Sequence, residues 1–222
     1  MASTTPIQVL ACAVLLLGVA GSGAAETPSI AAAPTADQSV GAQVESARGP
    51  HEAPEEIVRR LCEARKALDA VQLEGLLAED YHGVQPDGSQ IPYDRERGRD
   101  IADWERVLNT RWDYRILGVD GNAVTVLLTE QSAYFDLLDI GTRTQVTVYF
   151  VEGGRVSRSL SKLDVQERGS QAREFRRFHE WLLQQLEHPE PELVGPDGRL
   201  IFDGKGAARL LPWLTKWHAT RN

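Results

Sequence analysis

The residue types that could carry chemistry in this chain are scattered rather than grouped. Its five histidines stand at positions 51, 82, 179, 188 and 218, none in the spacing of an H-E-x-x-H zinc helix. No C-x-x-C, G-x-S-x-G, phosphate-cradling glycine loop or dinucleotide fingerprint occurs, so the sequence implies no metal and no cofactor. Cysteine chemistry is equally thin. Cys12 sits in an apolar leader, and Cys62 falls beside Leu61 on a helical pattern, where a small packed side chain is expected instead of a thiolate. Arg173, Arg176 and Arg177 form a basic cluster that reads as the solvated face of a helix. One turn is suggestive. Gln85-Pro86-Asp87-Gly88 joins turn chemistry to a side-chain amide that can hydrogen-bond a ligand but cannot take its proton.

The elements that must position such groups begin only after a long preamble. Val9 to Ala20 is almost wholly apolar, too short for a comfortable membrane span, and gives way to Gly21-Ser22-Gly23-Ala24-Ala25. That pattern predicts a signal peptide over residues 1–25, cleaved before Glu26, with an uncleaved anchor as the alternative. The expected destination is therefore outside the cytoplasm, periplasmic or secreted, with no stable membrane insertion once the leader is removed. Residues 26–53 are rich in Ala, Pro, Gly, Ser and Thr, carry no aromatic residue and show no periodicity, which predicts a disordered linker. The whole chain has 222 residues, room for one domain with extensions. Its 42% hydrophobic and 25% charged residues suit an ordinary globular core. A net charge of -8 argues against nucleic acid as a partner, since phosphate binding rests on a surplus of Lys and Arg.

From Pro54 the pattern becomes helical, with Pro54-Glu55-Glu56 as its opening and Ile57, Leu61, Ala64 and Leu68 as its apolar stripe. A second helical piece is expected from Leu73 to Ala78, then a short strand from Tyr81 to Gln85. A charged loop, Asp94 to Arg99, leads to a helix near Asp100 to Asn109. Trp112 to Val119, Ala123 to Phe135, Thr142 to Val151 and Arg155 to Leu163 read as strands of an antiparallel meander, with Asp120-Gly121 and Gly153-Gly154 at turns. Gly169-Ser170 offers a cap for a helix to about Glu187 with the stripe Phe175, Phe178, Leu182 and Leu186. After a tight turn at Gly195-Pro196-Asp197-Gly198, a last helix from Lys205 carries Leu210, Leu211, Leu214 and Trp217, and Pro212 is expected to kink or restart it.

Helix, short helix, short strand, helix and long antiparallel sheet follow the order of the nuclear transport factor 2-like (SnoaL-like) superfamily. Locally, Ala67-Leu68-Asp69 and Leu73-Glu74-Gly75-Leu76-Leu77-Ala78-Glu79-Asp80-Tyr81 resemble its opening, and Pro86-Asp87-Gly88 with Gly98-Arg99-Asp100-Ile101 resembles the loop and helix start that follow. The resemblance implies an α+β cone in which a curved antiparallel sheet wraps the N-terminal helices. It assigns residues 54–165 to that domain and leaves 166–222 as an added C-terminal helical extension packed on it. The superfamily includes isomerases, cyclases and dehydratases alongside binding and assembly domains, so the site must decide function. Ketosteroid-isomerase-like members carry a general-base Asp before the proline of a D-P-x-G turn; Gln85 stands there in this chain. The wide end of such a cone nominates Tyr81, His82, Trp104, Tyr134 and Asp136, with Gln85, as pocket residues, and among them His82 and Asp136 as groups able to move a proton. The readings that follow are a domain binding a small apolar or amphipathic ligand, a cofactor-free isomerase, cyclase or lyase, and a module that dimerises through the open sheet face.

Overall fold

The computed structural model describes residues 52–84, 90–162, 165–186, 193–196 and 199–221. The expected leader, most of the linker, and Gln85 with its Pro86-Asp87-Gly88 turn lie outside the described residues.

Helix α1 (Pro54–Lys66) has proline in its first turn with Glu55 and Glu56, and Arg65 and Lys66 in its last, each placed to favour the helix dipole. It ends in a Schellman arrangement: Leu68 N–H donates to Arg65 O and Asp69 N–H to Ala64 O. Leu68 holds the left-handed position, φ 53°, that usually goes to glycine. Asp69 then caps α2 (Ala70–Leu76) by accepting from Gln72 N–H at 2.9 Å. This helix starts three residues before the expected Leu73, because the aspartate supplies the cap, and the strand it leads to starts early too. That strand, β1 (Leu77–Val84), pairs with β2 (Gln90–Pro92).

The charged run expected as a loop is instead the first turns of α3 (Arg95–Val107), whose N-cap Asp94 accepts from Arg97 N–H. Strands β3 (Arg111–Asp120), β4 (Ala123–Gln131), β5 (Arg143–Glu152) and β6 (Arg155–Lys162) form the expected antiparallel meander. At the β5–β6 turn Gly153 and Gly154 both take positive φ, 58° and 80°, the conformation that a tight two-residue hairpin demands. β6 also pairs in parallel with β1, so the sheet is mixed, open, and ordered β2-β1-β6-β5-β4-β3.

One strand is shorter than its sequence pattern. β4 stops at Gln131, and Ser132 caps the short helix α4 (Ala133–Leu137) by accepting from Phe135 N–H. Tyr134 and Asp136 are therefore helical residues, not strand residues. α5 (Val165–Gln185) begins before Gly169-Ser170, which lie within it and do not cap it. α6 (Gly204–Arg221) runs through Pro212 as one helix, with Leu210 and Leu214 anchored in the core on either side of the lost backbone bond.

Two cores result. In one, α1 packs across β3, β4, β5 and β6, burying Ile57, Val58, Leu61 and Cys62 against Trp112, Val124, Val126, Tyr149 and Val151. The other joins α3 and α4 to α5 and α6: Trp104, Leu108, Tyr134 and Phe135 meet Phe175, Phe178, Leu182, Leu210, Leu214 and Trp217.

Candidate functional site

Alternate residues of a strand face opposite sides of the sheet, so the inner face of β5 reads Arg143, Gln145, Thr147, Tyr149 and Val151, all buried. On β4 the inward set is Val124, Val126, Leu128 and Glu130. Along both strands the interior thus changes from apolar beneath α1 to charged at the opposite end. Glu130 and Arg143 are cross-strand partners, 3.5 Å apart and only 3% and 1% exposed, and Arg143 also donates to Gln145 Oε1 at 3.0 Å. Hydroxyls continue this layer: Thr147 and Ser161 Oγ atoms lie 2.8 Å apart, and Tyr81 Oη is 2.7 Å from Ser159 Oγ.

A buried ion pair of this kind adds little net stability, because desolvating the two charges costs about as much as their attraction returns. Two further charged groups belong to the same interior. Arg65 on α1 places its guanidinium 3.9 Å over the Trp112 ring, within electrostatic reach of Tyr149, Glu105, Glu130 and Tyr81. Glu105 on α3 is buried, and that burial pushes its carboxyl up to about 7 against the pull of Arg65, with Glu130 adding to the rise. Burial also raises Glu130 above the usual carboxylate range, Arg143 and then Arg65 opposing it. The Cys62 thiol is pushed up to about 12 by burial, which removes it as a nucleophile at neutral pH.

Arg65 and Glu105 also reach a recess between α1, α2 and α3, about 420 Å³ when the space open to solvent is counted. Its walls are Ala64, Leu68, Leu73, Tyr93, Ile101 and Ala102; the charged lining is Arg65, Asp69 and Glu105. Tyr93 lies so close to Gly98 that a Cβ there would collide with its hydroxyl, so glycine is what lets the ring fold over this edge. The same Leu68 that occupies a glycine-like backbone position is a wall residue. Behind Glu105 lies a narrower cavity bounded by Thr110, Glu130, Ser132, Trp104 and Phe202. Glu105 thus stands between the solvent-facing recess and the charged interior.

The residues nominated from sequence are distributed differently. Tyr81 is buried on the inner face of β1 and lines a cleft with Tyr93 and Ile101. His82, the next residue, is on the outer face, its Nδ1 3.2 Å from Asp80 O. Trp104 and Tyr134 are buried, but in the aromatic core made with the C-terminal helices: Tyr134 stacks on Phe175 at 5.5 Å and Trp104 meets Phe202 edge-on at 4.8 Å. Asp136 is exposed, because the chain turns into α4 before reaching it. The structure brings neither His82 nor Asp136 to the charged interior, and Gln85 is outside the described residues.

The groups that do converge, Arg65, Glu105, Glu130 and Arg143, went unread in the sequence although a signal exists. Glu130 continues the inward alternation Val124, Val126, Leu128, and Glu105 lies on the stripe Ile101, Glu105, Leu108. A charge at a position that periodicity assigns to the core is the mark of a buried polar site.

Two helices, a strand, a third helix and a meander whose last strand returns to pair with the first settle the architecture. The fold is nuclear transport factor 2-like. No protein-family model matches the sequence, and no curated protein matches it. Among solved structures the chain is similar to a nuclear transport factor 2-like protein of unknown function from Cytophaga hutchinsonii, with 14% identity, 53% of this chain and 95% of that chain covered, and a TM-score of 0.40. It is similar at 20% identity to another such protein from Burkholderia pseudomallei, over 52% of this chain and 93% of that one, TM-score 0.40. A third is an LEH-like epoxide hydrolase of M. tuberculosis, at 19% identity over 60% of this chain and 96% of that one, TM-score 0.39. Likeness at this level concerns the fold alone.

Proposed function

We propose that this protein binds a small amphipathic molecule in the recess between α1, α2 and α3. The observation that carries the reading is the composition of that recess: apolar walls, and charge confined to a few convergent groups, Arg65 and Glu105 foremost. The wide end nominated from sequence is a poorer candidate, since α5 and α6 fill it with Phe175, Phe178 and Trp217. Binding, not turnover, is the function proposed, and Glu105 is the group through which any acid–base chemistry would run. A ligand that binds only the folded state raises its melting temperature. A thermal-shift screen of short amphiphiles should therefore give shifts with the wild type that disappear in Leu73→Trp, which fills the recess; shifts that persist in the variant would refute the assignment.

Two further readings belong to the same proposal. Export, with cleavage before Glu26, rests on the leader pattern, and the intact mass of protein recovered outside the cytoplasm tests it. Self-association is favoured by the outer face of the sheet, where Leu127, Val146, Val148, Phe150 and Leu160 remain only half-buried; light scattering of the protein and of a Val148→Lys variant would report it.

A further inference from the structure

The charges of the interior do not divide evenly. Glu130 has its own counter-ion in Arg143, at 3.5 Å on the adjoining strand. Arg65 and Glu105 line the recess together with Asp69, and Arg65 also hydrogen-bonds Tyr149 on β5. Whenever Glu105 carries a proton, one of the two carboxylates that share the recess lining with Arg65 is neutral, leaving Asp69, and the carboxylic acid becomes a hydrogen-bond donor instead of a competitor. Two other groups around Glu105 favour its ionised form, Trp112 as a hydrogen-bond donor and Arg143 through its charge, but burial outweighs them. Arg143 from β5 is engaged by Glu130 and Gln145, and Trp112 from β3 offers only an indole N–H. At the rim, the Asp69 carboxylate accepts from Gln72 N–H through Oδ1 and keeps its charge, while the Tyr93 hydroxyl is held neutral, its pKa pushed up to about 12 first by burial and then by Glu74.

We infer that the recess takes an amphipathic monocarboxylate, an organic acid with a short hydrocarbon body, whose head is held by Arg65 and by a protonated Glu105 while its body lies along Leu68, Leu73 and Ile101. This rests on the recess reading above and specifies its ligand. Proton uptake accompanies binding: the anionic head favours the neutral form of Glu105, so the proton and the ligand bind with positive linkage. Arg65 gives the preference for an anion, and Glu105 gives the dependence on pH. No bond is made or broken.

Isothermal titration of the protein with octanoate, octanol and octylamine, at pH 6 and pH 8 and in buffers of different ionisation enthalpy, tests this directly. Octanoate should bind in preference to the other two, about tenfold more weakly at pH 8 than at pH 6, with net proton uptake approaching one at the higher pH. Glu105→Gln should keep octanoate binding and lose its pH dependence, and Arg65→Gln should lose the preference for octanoate over octanol. Because proton uptake is read on the wild type, the inference stays testable even where the Arg65 variant does not fold. Octanol binding as tightly as octanoate, or octanoate binding without proton uptake, overturns the head-group inference and leaves the recess reading standing. Failure of all three probes, or binding undiminished in Leu73→Trp, overturns both.

Discussion

Two adjoining regions of this molecule, meeting where Arg143 lies over the Phe135 ring, fill their interiors in opposite ways. Where α5 and α6 meet α3 and α4, the space is taken by rings: Tyr134 on Phe175, Phe178 beside Trp181 and Trp217, Trp104 against Phe202. Across the sheet, where the inner faces of β4 and β5 could have continued with Val and Leu, the chain instead buries Glu130, Arg143, Gln145 and Thr147, with Glu105 and Arg65 alongside. Aromatic packing stabilises in proportion to the area removed from water, whereas buried charge does so weakly or not at all. On the proposed reading, the aromatic region serves structure and the charged region serves function. The C-terminal helices pack as a hydrophobic closure, and the proposed site is the charged interior beside the α1–α2–α3 recess.

The largest effect should come from breaking the closure. Phe178 is fully buried among these rings, and Phe178→Ala should cost roughly 3 to 5 kcal/mol, read as a clear fall in melting temperature. An unchanged melting curve would mean the extension does not hold the fold together. Next comes the charged region, where the sign is reversed. Glu105 has a carboxyl raised by burial from 4.5 to about 7, so the folded state holds its proton more tightly than the unfolded chain does. Stability from this group is therefore fully present below pH 4.5 and is lost as pH rises to about 7. Glu105→Gln, which mimics the neutral acid, should leave stability unchanged near pH 4 and raise it by about 3 kcal/mol at pH 8. Denaturant melts at the two pH values check this, and a destabilised variant at pH 8 would show that the ionised carboxylate is a net support of the fold. The smallest effects belong to His82 and Asp136, on the outer face of β1 and the exposed side of α4. His82→Ala and Asp136→Asn should each change stability by less than about 0.5 kcal/mol and leave octanoate binding intact; a loss of binding in either would move the site toward them.

How far these two regions were legible in the sequence follows the same division. The closure could be read, because Phe175, Phe178, Leu182 and Leu186 recur at helical spacing and announce a buried face. The meander was legible too, through alternation in β4 and β5 and the Gly153-Gly154 turn. The site was not, since Arg65, Glu105, Glu130 and Arg143 come from four elements, and only the register of β4 with β5 and the packing of α1 against the sheet bring them together. Asp136 was misplaced for a local reason: Ser132 caps a helix where β propensity in Ala133-Tyr134-Phe135 suggested more strand. His82 lies one position out of the inward alternation of β1, the inward place going to Tyr81.

The central claim, that ligand enters at the charged region and not at the aromatic closure, can be tested with the five tryptophans of the chain. Trp112 lies under Arg65 in the charged interior, whereas Trp181, Trp213 and Trp217 sit together at the closure. In an indole ¹H–¹⁵N spectrum, assigned with a Trp112→Phe variant, titration with octanoate should shift the Trp112 resonance while those of Trp181, Trp213 and Trp217 stay in place. Movement of the three closure resonances with Trp112 unchanged would contradict the account and place the binding site under the C-terminal helices.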